Sequence, residues 1–66
     1  MRIVVNGDEI RVEEGATVAD VVRSLTLSSQ GVAVALDRSV VPRSEWSKTS
    51  LHDGAHIEVL AAAAGG

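Results

Sequence analysis

The sequence predicts an α+β fold, a mixed sheet of four to five short strands packed on one helix, followed by a flexible Gly-Gly tail. Three observations predict it. Turn signals at Asn6-Gly7-Asp8 and Asp53-Gly54 border short apolar stretches that alternate with period two. One segment, Val18 to Leu25, instead carries its apolar residues at helical spacing. The closing LAAAAGG has no periodicity and, after Leu60, no side chain larger than a methyl group. The expected division is a domain over 1–60 and a tail over 61–66.

In the opening RIVVNGDEIRVEE, Asn6 and Gly7 both tolerate the positive φ of a tight hairpin turn, so Ile3 to Val5 and Ile10 to Val12 are read as paired strands. Ile10 and Val12 alternate with Glu9, Arg11 and Glu13, which gives one buried and one wet face. Thr17, followed three residues on by Asp20, has the spacing of a capping box. Val18, Val21, Val22 and Leu25 then form one apolar stripe, predicting a helix from Val18 to Leu25. Its valines are poor helix formers, so packing against the sheet must hold it. After the polar TLSSQG loop, Val32, Val34 and Leu36 alternate with Ala33 and Ala35 as a third strand. Asp37-Arg38-Ser39 is read as a turn, VVP as a short strand stopped by Pro42, and Ser44 to Trp46 as a single helical turn. The last strand follows Asp53-Gly54, with Ile57 and Val59 inward and His56, Glu58 and Leu60 outward.

Sixty-six residues make one domain, near the lower limit for a core without staples. Nine acidic and six basic residues give a net charge of −3, with no basic cluster, which argues against nucleic acid as a partner. The absence of cysteine removes disulfides, thiolate metal sites and a cysteine nucleophile. No apolar run reaches the ~18 residues of a membrane span, and MRIVVNGDEI turns polar too early for a signal peptide. The expectation is a cytoplasmic protein, monomeric when free and not membrane-bound.

His52 and His56 stand four apart, but Gly54 between them breaks the helix that this spacing would need to join two metal ligands, so both are read as surface residues. No serine occupies a nucleophile elbow, and a domain this small has little room for a substrate pocket, so no catalytic residues, metal or bound cofactor are expected. Trp46, the only aromatic residue, is read as a core or lid residue, with partner contact as the alternative. If Ile3 and Val5 face the helix, Val4, Ala33, Ala35 and Leu60 face out, interrupted by Glu58 alone. That apolar face is a candidate docking surface. A register slip of one residue would exchange the two faces. At the average glycine frequency of about 7%, two glycines close a chain by chance roughly once in 200. The ending is therefore either a frayed terminus or an arm that presents the carboxylate of Gly66.

Short strands embracing one helix, with the first and last able to lie side by side, suit the ubiquitin-like β-grasp, although periodicity alone leaves other strand orders open. Over its whole length the chain resembles the ThiS family of sulfur carrier proteins of thiamine biosynthesis. The resemblance lies in the early NG hairpin, EGATVADVV, GVAVALD, VVPRSEW, LHDGAHIEV and the closing Gly65-Gly66. VVPRSEW and the glycines are the most specific, since EGATV and DGAHIEV also suit the small subunit of molybdopterin synthase. Ala61 to Ala64 depart from the larger apolar residue expected near the glycines.

The resemblance implies a protein cosubstrate rather than an enzyme. An adenylyltransferase of the ubiquitin-activating type would use ATP to activate Gly66, a persulfide donor would supply sulfur, and thiazole synthase would take it from the resulting thiocarboxylate. Ala64 and Gly65 would form the slim arm. Three other readings stay open: a sulfur carrier for molybdopterin, cysteine or another product, a ubiquitin-like protein modifier, or a passive interaction module.

Overall fold

A computed structural model describes residues 1–25 and 31–61. The first hairpin joins β1 (Arg2–Val5) to β2 (Asp8–Arg11). Asn6 and Gly7 sit at φ of 50° and 86°, the doubly left-handed geometry whose twist matches that of paired strands. Val5 opposes Asp8 and Ile3 opposes Ile10, so Ile3 and Val5 are buried beside half-buried Ile10.

The helix α1 (Val18–Leu25) begins at the expected cap. The Thr17 N–H donates to Asp20 Oδ2 at 2.9 Å, and the Asp20 N–H donates back to Thr17 Oγ1 at 3.3 Å. The Thr17 N–H foremost, then the Thr17 hydroxyl, which donates to Asp20 Oδ2 at 3.2 Å, holds the Asp20 carboxyl below its ordinary range. Val18, Val21 and Val22 are buried, but Leu25, expected in the same stripe, is 51% exposed. The helix is tied down near its start, where Val18 N–H donates to Thr49 O at 3.0 Å and Leu51 N–H to Ala16 O at 2.9 Å. Its last turn carries Leu25 clear of the core.

β3 (Val32–Leu36) and β4 (Ser39–Val40) form the second hairpin. Its turn is two residues rather than three: Asp37 and Arg38 take φ of 47° and 74°, and Ser39 already pairs with Leu36. After Pro42, a 3-10 helix covers Arg43–Lys48, longer than the single turn expected. It lays Trp46 into the core at 5% exposure, with Nε1–H donating to Val41 O at 2.8 Å. This is the structural role the sequence favoured.

β5 (His56–Ala61) then enters the middle of the sheet, giving the order β2-β1-β5-β3-β4. It runs parallel to β1, with Val4 opposite His56, and antiparallel to β3, with Ala33 opposite Leu60. This is the β-grasp arrangement, with α1 and the 3-10 helix on one face. The strand includes Ala61, which the sequence reading placed in the tail, and the rest of that tail lies outside the described residues. The core comprises Ile3, Val5, Val18, Val21, Val22, Val34, Trp46, Leu51, Ala55 and Ile57, and no polar or charged residue is buried with them among the described residues. No helix among these residues is long and apolar enough to cross a membrane.

The β3–β4 turn yields a contrast. Arg38→Gly is expected to raise stability by about 0.5 kcal/mol, because glycine adopts a left-handed φ without Cβ crowding and returns part of that gain as unfolded-state entropy. Asp37→Gly relieves the same kind of conformation but deletes a carboxylate that accepts the His56 N–H at 3.0 Å, and is expected to lower stability. Urea unfolding of the two variants measures the difference in sign.

Candidate functional site

The pairing registers decide which side chains share the open face of the sheet. Val4 stands opposite His56 and Glu9, Ala35 opposite Glu58, and Ala33 opposite Leu60. Directly opposed residues lie on the same face. Val4, Ala33, Ala35, Glu58 and Leu60 therefore occupy the side away from α1, the register anticipated from the sequence. Leu60 is 67% exposed, Ala33 and Glu58 are exposed, and Val4 and Ala35 are half-buried.

One member of this face went unread. Val40 opposes Ala35 and is 78% exposed, the most open of the large apolar residues described. The signal was available in the chain: a two-residue Asp37-Arg38 turn places Ser39 against Leu36 and Val40 against Ala35, whereas counting Ser39 into the turn hides that register. Ala33 and Ala35 place only methyl groups between Leu60 and Glu58 on β5 and Val40 on β4. Around the face lie charges, including an exposed Arg2–Glu9 pair at 3.7 Å that contributes little to stability. Ala64, Gly65 and Gly66 lie outside the described residues. β5, which carries Leu60 on this face, ends at Ala61, the last described residue.

A polar clasp holds the end of the sheet where β5 begins. The Asp37 N–H donates to His56 O at 2.8 Å, while Asp37 Oδ1 accepts the His56 N–H at 3.0 Å and Oδ2 lies 2.6 Å from His52 Nε2. His52 Nδ1 lies 2.9 Å from Asp53 O. Both partners of the imidazole are acceptors, so both bonds form together when both ring nitrogens carry protons. The Asp37 bond foremost, then the Asp53 carbonyl, raises the His52 pKa above 6.5, and the His52 bond foremost holds Asp37 below 3.8. The surface placement read for both histidines holds, and His52 has a structural partner that the sequence did not reveal. Among the described residues no group of three His, Cys, Asp or Glu side chains converges as metal ligands.

The clasp predicts a pH dependence. His52, raised in the fold, stabilises fully below its unfolded value near 6.5 and loses that contribution as pH rises through its folded value. Asp37, lowered in the fold, stabilises above 3.8 and loses its contribution as pH falls through its folded value. The melting temperature is therefore expected to fall more between pH 6 and pH 9 in the natural chain than in His52→Gln. Parallel thermal melts across that range check it, and identical slopes would refute a protonated clasp.

Comparisons with known proteins cover the whole chain. The ThiS family model matches residues 1–66. The sulfur carrier protein ThiS of Escherichia coli is 30% identical over 66 residues, covering all of both chains. A thiazole synthase of Paramagnetospirillum magneticum is 32% identical over 66 residues, where this chain spans 20% of that protein's length. Among solved structures, the crystal structure of a thiamine biosynthesis protein, ThiS, of Geobacter metallireducens is similar at a TM-score of 0.82 and 29% identity, covering all of both chains. The solution structure of a thiamine biosynthesis protein of the same organism gives a TM-score of 0.80 and 29% identity, over all of this chain and 88% of that one.

Proposed function

This chain belongs to the ThiS family, and we propose that it is a sulfur carrier of thiamine biosynthesis in which Gly66 bears the sulfur. The observation that carries the reading is the end-to-end match of residues 1–66, Gly65 and Gly66 included, to that family. The chain acts as a cosubstrate, modified and discharged by partner enzymes.

A carboxylate is a poor electrophile. An adenylyltransferase of the ubiquitin-activating type therefore couples Gly66 to the α-phosphate of ATP with loss of pyrophosphate, giving an acyl-adenylate. The terminal sulfur of a persulfide donor displaces AMP, and a thiol then cleaves the S–S bond to leave a thiocarboxylate. Thiazole synthase takes the sulfur. A thiazole synthase that contains a segment similar to all of this chain supports that enzyme class as a partner.

The composition of the tail suits this cycle. Five residues after Ala61 reach at most about 17 Å when extended, and glycines pass narrow channels in whatever backbone conformation each enzyme imposes. Both partners dock on the face formed by Val4, Ala33, Ala35, Val40 and Leu60, where Glu58 lies among the apolar residues and Arg2, Glu9 and Arg11 flank Val4 on the β1–β2 side, rather than Glu58 alone as the sequence suggested, because exposed apolar clusters on small proteins mark contact surfaces.

With ATP, the matching adenylyltransferase and a persulfide donor, the intact mass is expected to rise by the difference between a sulfur and an oxygen atom, and fragmentation is expected to place the change on Gly66. Removal of Gly66 abolishes the gain without unfolding the domain, and Gly65→Val slows it through Cβ crowding. An unchanged mass in the complete reaction would refute the carrier reading.

Leu60→Asp and Val4→Asp test the docking face. Each is expected to weaken binding to the adenylyltransferase roughly tenfold, as for an interface residue contributing somewhat over 1 kcal/mol. Titration calorimetry alongside thermal melts checks that Leu60→Asp leaves the fold in place.

A further inference from the structure

The sheet contains a rung that the backbone does not make. On the β1 side, Val4 N–H donates to Ala55 O at 2.8 Å and Asn6 N–H donates to Ile57 O at 2.9 Å. The chain then turns away at Asn6-Gly7 into β2, while β5 continues to Ala61. The next rung is supplied by a side chain. Asn6 Oδ1 accepts the Val59 N–H at 2.8 Å, and Asn6 Nδ2 donates to Val59 O at 3.2 Å. A carboxamide carries the same donor and acceptor as a peptide group, so it extends the parallel ladder past the last residue of β1.

The turn alone does not require this residue. Asp-Gly and Gly-Gly serve the same hairpin geometry, but aspartate lacks the donor for Val59 O and glycine lacks both partners. The rung sits at a boundary. Alternation along β5 points the N–H and C=O of Leu60 toward β3, opposite Ala33, and those of Val59 toward Asn6. Among the described residues Val59 is thus the last of β5 bonded on the β1 side, and β5 ends at Ala61 shortly after it.

We infer that Asn6 is a positioning residue for the tail: its carboxamide fixes where β5 ends as a two-sided strand and so sets the length of arm between the docking face and Gly66. The inference rests on the reading of Gly66 as the sulfur-bearing residue. Without the carboxamide, the last residues of β5 are held by β3 alone. Fraying there lengthens the arm and loosens the placement of Gly66 against a partner gripping the sheet face. Loss of placement slows the reacting step while contacts elsewhere on that face persist.

The test uses the full chain with Asn6→Gly, which keeps a residue suited to a φ of 50° and removes both bonds, and Asn6→Asp, which keeps the acceptor alone. In Asn6→Gly, amide exchange at Val59 is expected to accelerate roughly tenfold, as for loss of a bonded pair worth about 1 kcal/mol or slightly more, while Ile57 is unchanged. At saturating adenylyltransferase, the rate of sulfur gain by intact mass is expected to fall several-fold with the half-saturating concentration unchanged. Asn6→Asp is expected to fall between Asn6→Gly and the natural chain in both readouts. Unchanged exchange at Val59, or equal acceleration at Ile57, overturns the local rung. Faster exchange at Val59 with sulfur gain at the natural rate overturns the positioning role alone, whereas a natural chain that gains no sulfur overturns the carrier reading itself.

Discussion

The insertion of β5 between β1 and β3 is the constraint on which the rest of the structure depends. β1 with β2, and β3 with β4, are hairpins closed by two-residue turns, and neither pairs directly with the other. β5 joins them, burying Ile57 and the preceding Ala55 against the core. A parallel neighbour cannot be reached by a tight turn, so a crossover must leave the sheet and return. In this chain the route out of the first hairpin passes through α1, and the 3-10 helix closes over the same side. One face is covered as a result, and the other stays open.

That asymmetry separates two tasks. The covered face supplies stability through an entirely apolar interior, within which Trp46 satisfies its single N–H on Val41. The open face carries alanines, Val40 and Leu60 on its β3–β4 side and Arg2, Glu9 and Arg11 on its β1–β2 side, and leads in sequence toward the glycines. Because β5 is central, its exposed side chains have neighbours on both sides, so a partner contacting Leu60 also finds β3 beside it. A tail leaving an edge strand would lack that flanking surface.

Local features were legible in the sequence and long-range ones were not. The Asn6-Gly7 hairpin, the Thr17–Asp20 cap and the bounds of α1 depend on residues within a few positions of one another. The parallel pairing of Val4 with His56 joins opposite ends of the chain, and no periodicity encodes it. Period two gave the faces of β3 and β5 correctly, but the register of β4 turned on whether Ser39 belonged to the turn, and Val40 was lost with it. Leu25 kept the helical spacing yet lies past the point where the helix is tied down. The second role of Asn6 was masked by its first, since a residue that explains a turn invites no further question. The glycines were legible as a pattern, and the chemistry proposed for them came from family resemblance rather than from spacing.

The chain has one tryptophan and neither tyrosine nor phenylalanine. Its near-ultraviolet absorbance and emission therefore come from one indole, held in the interior beneath the 3-10 helix. Light reports a single location in this molecule. Undocking of that helix would bring water to the ring and shift its emission, whereas chemistry on the far side of the sheet would leave the ring's surroundings as they are. The protein thus carries a built-in fluorophore that reports the integrity of its core and is silent about the open face of its sheet.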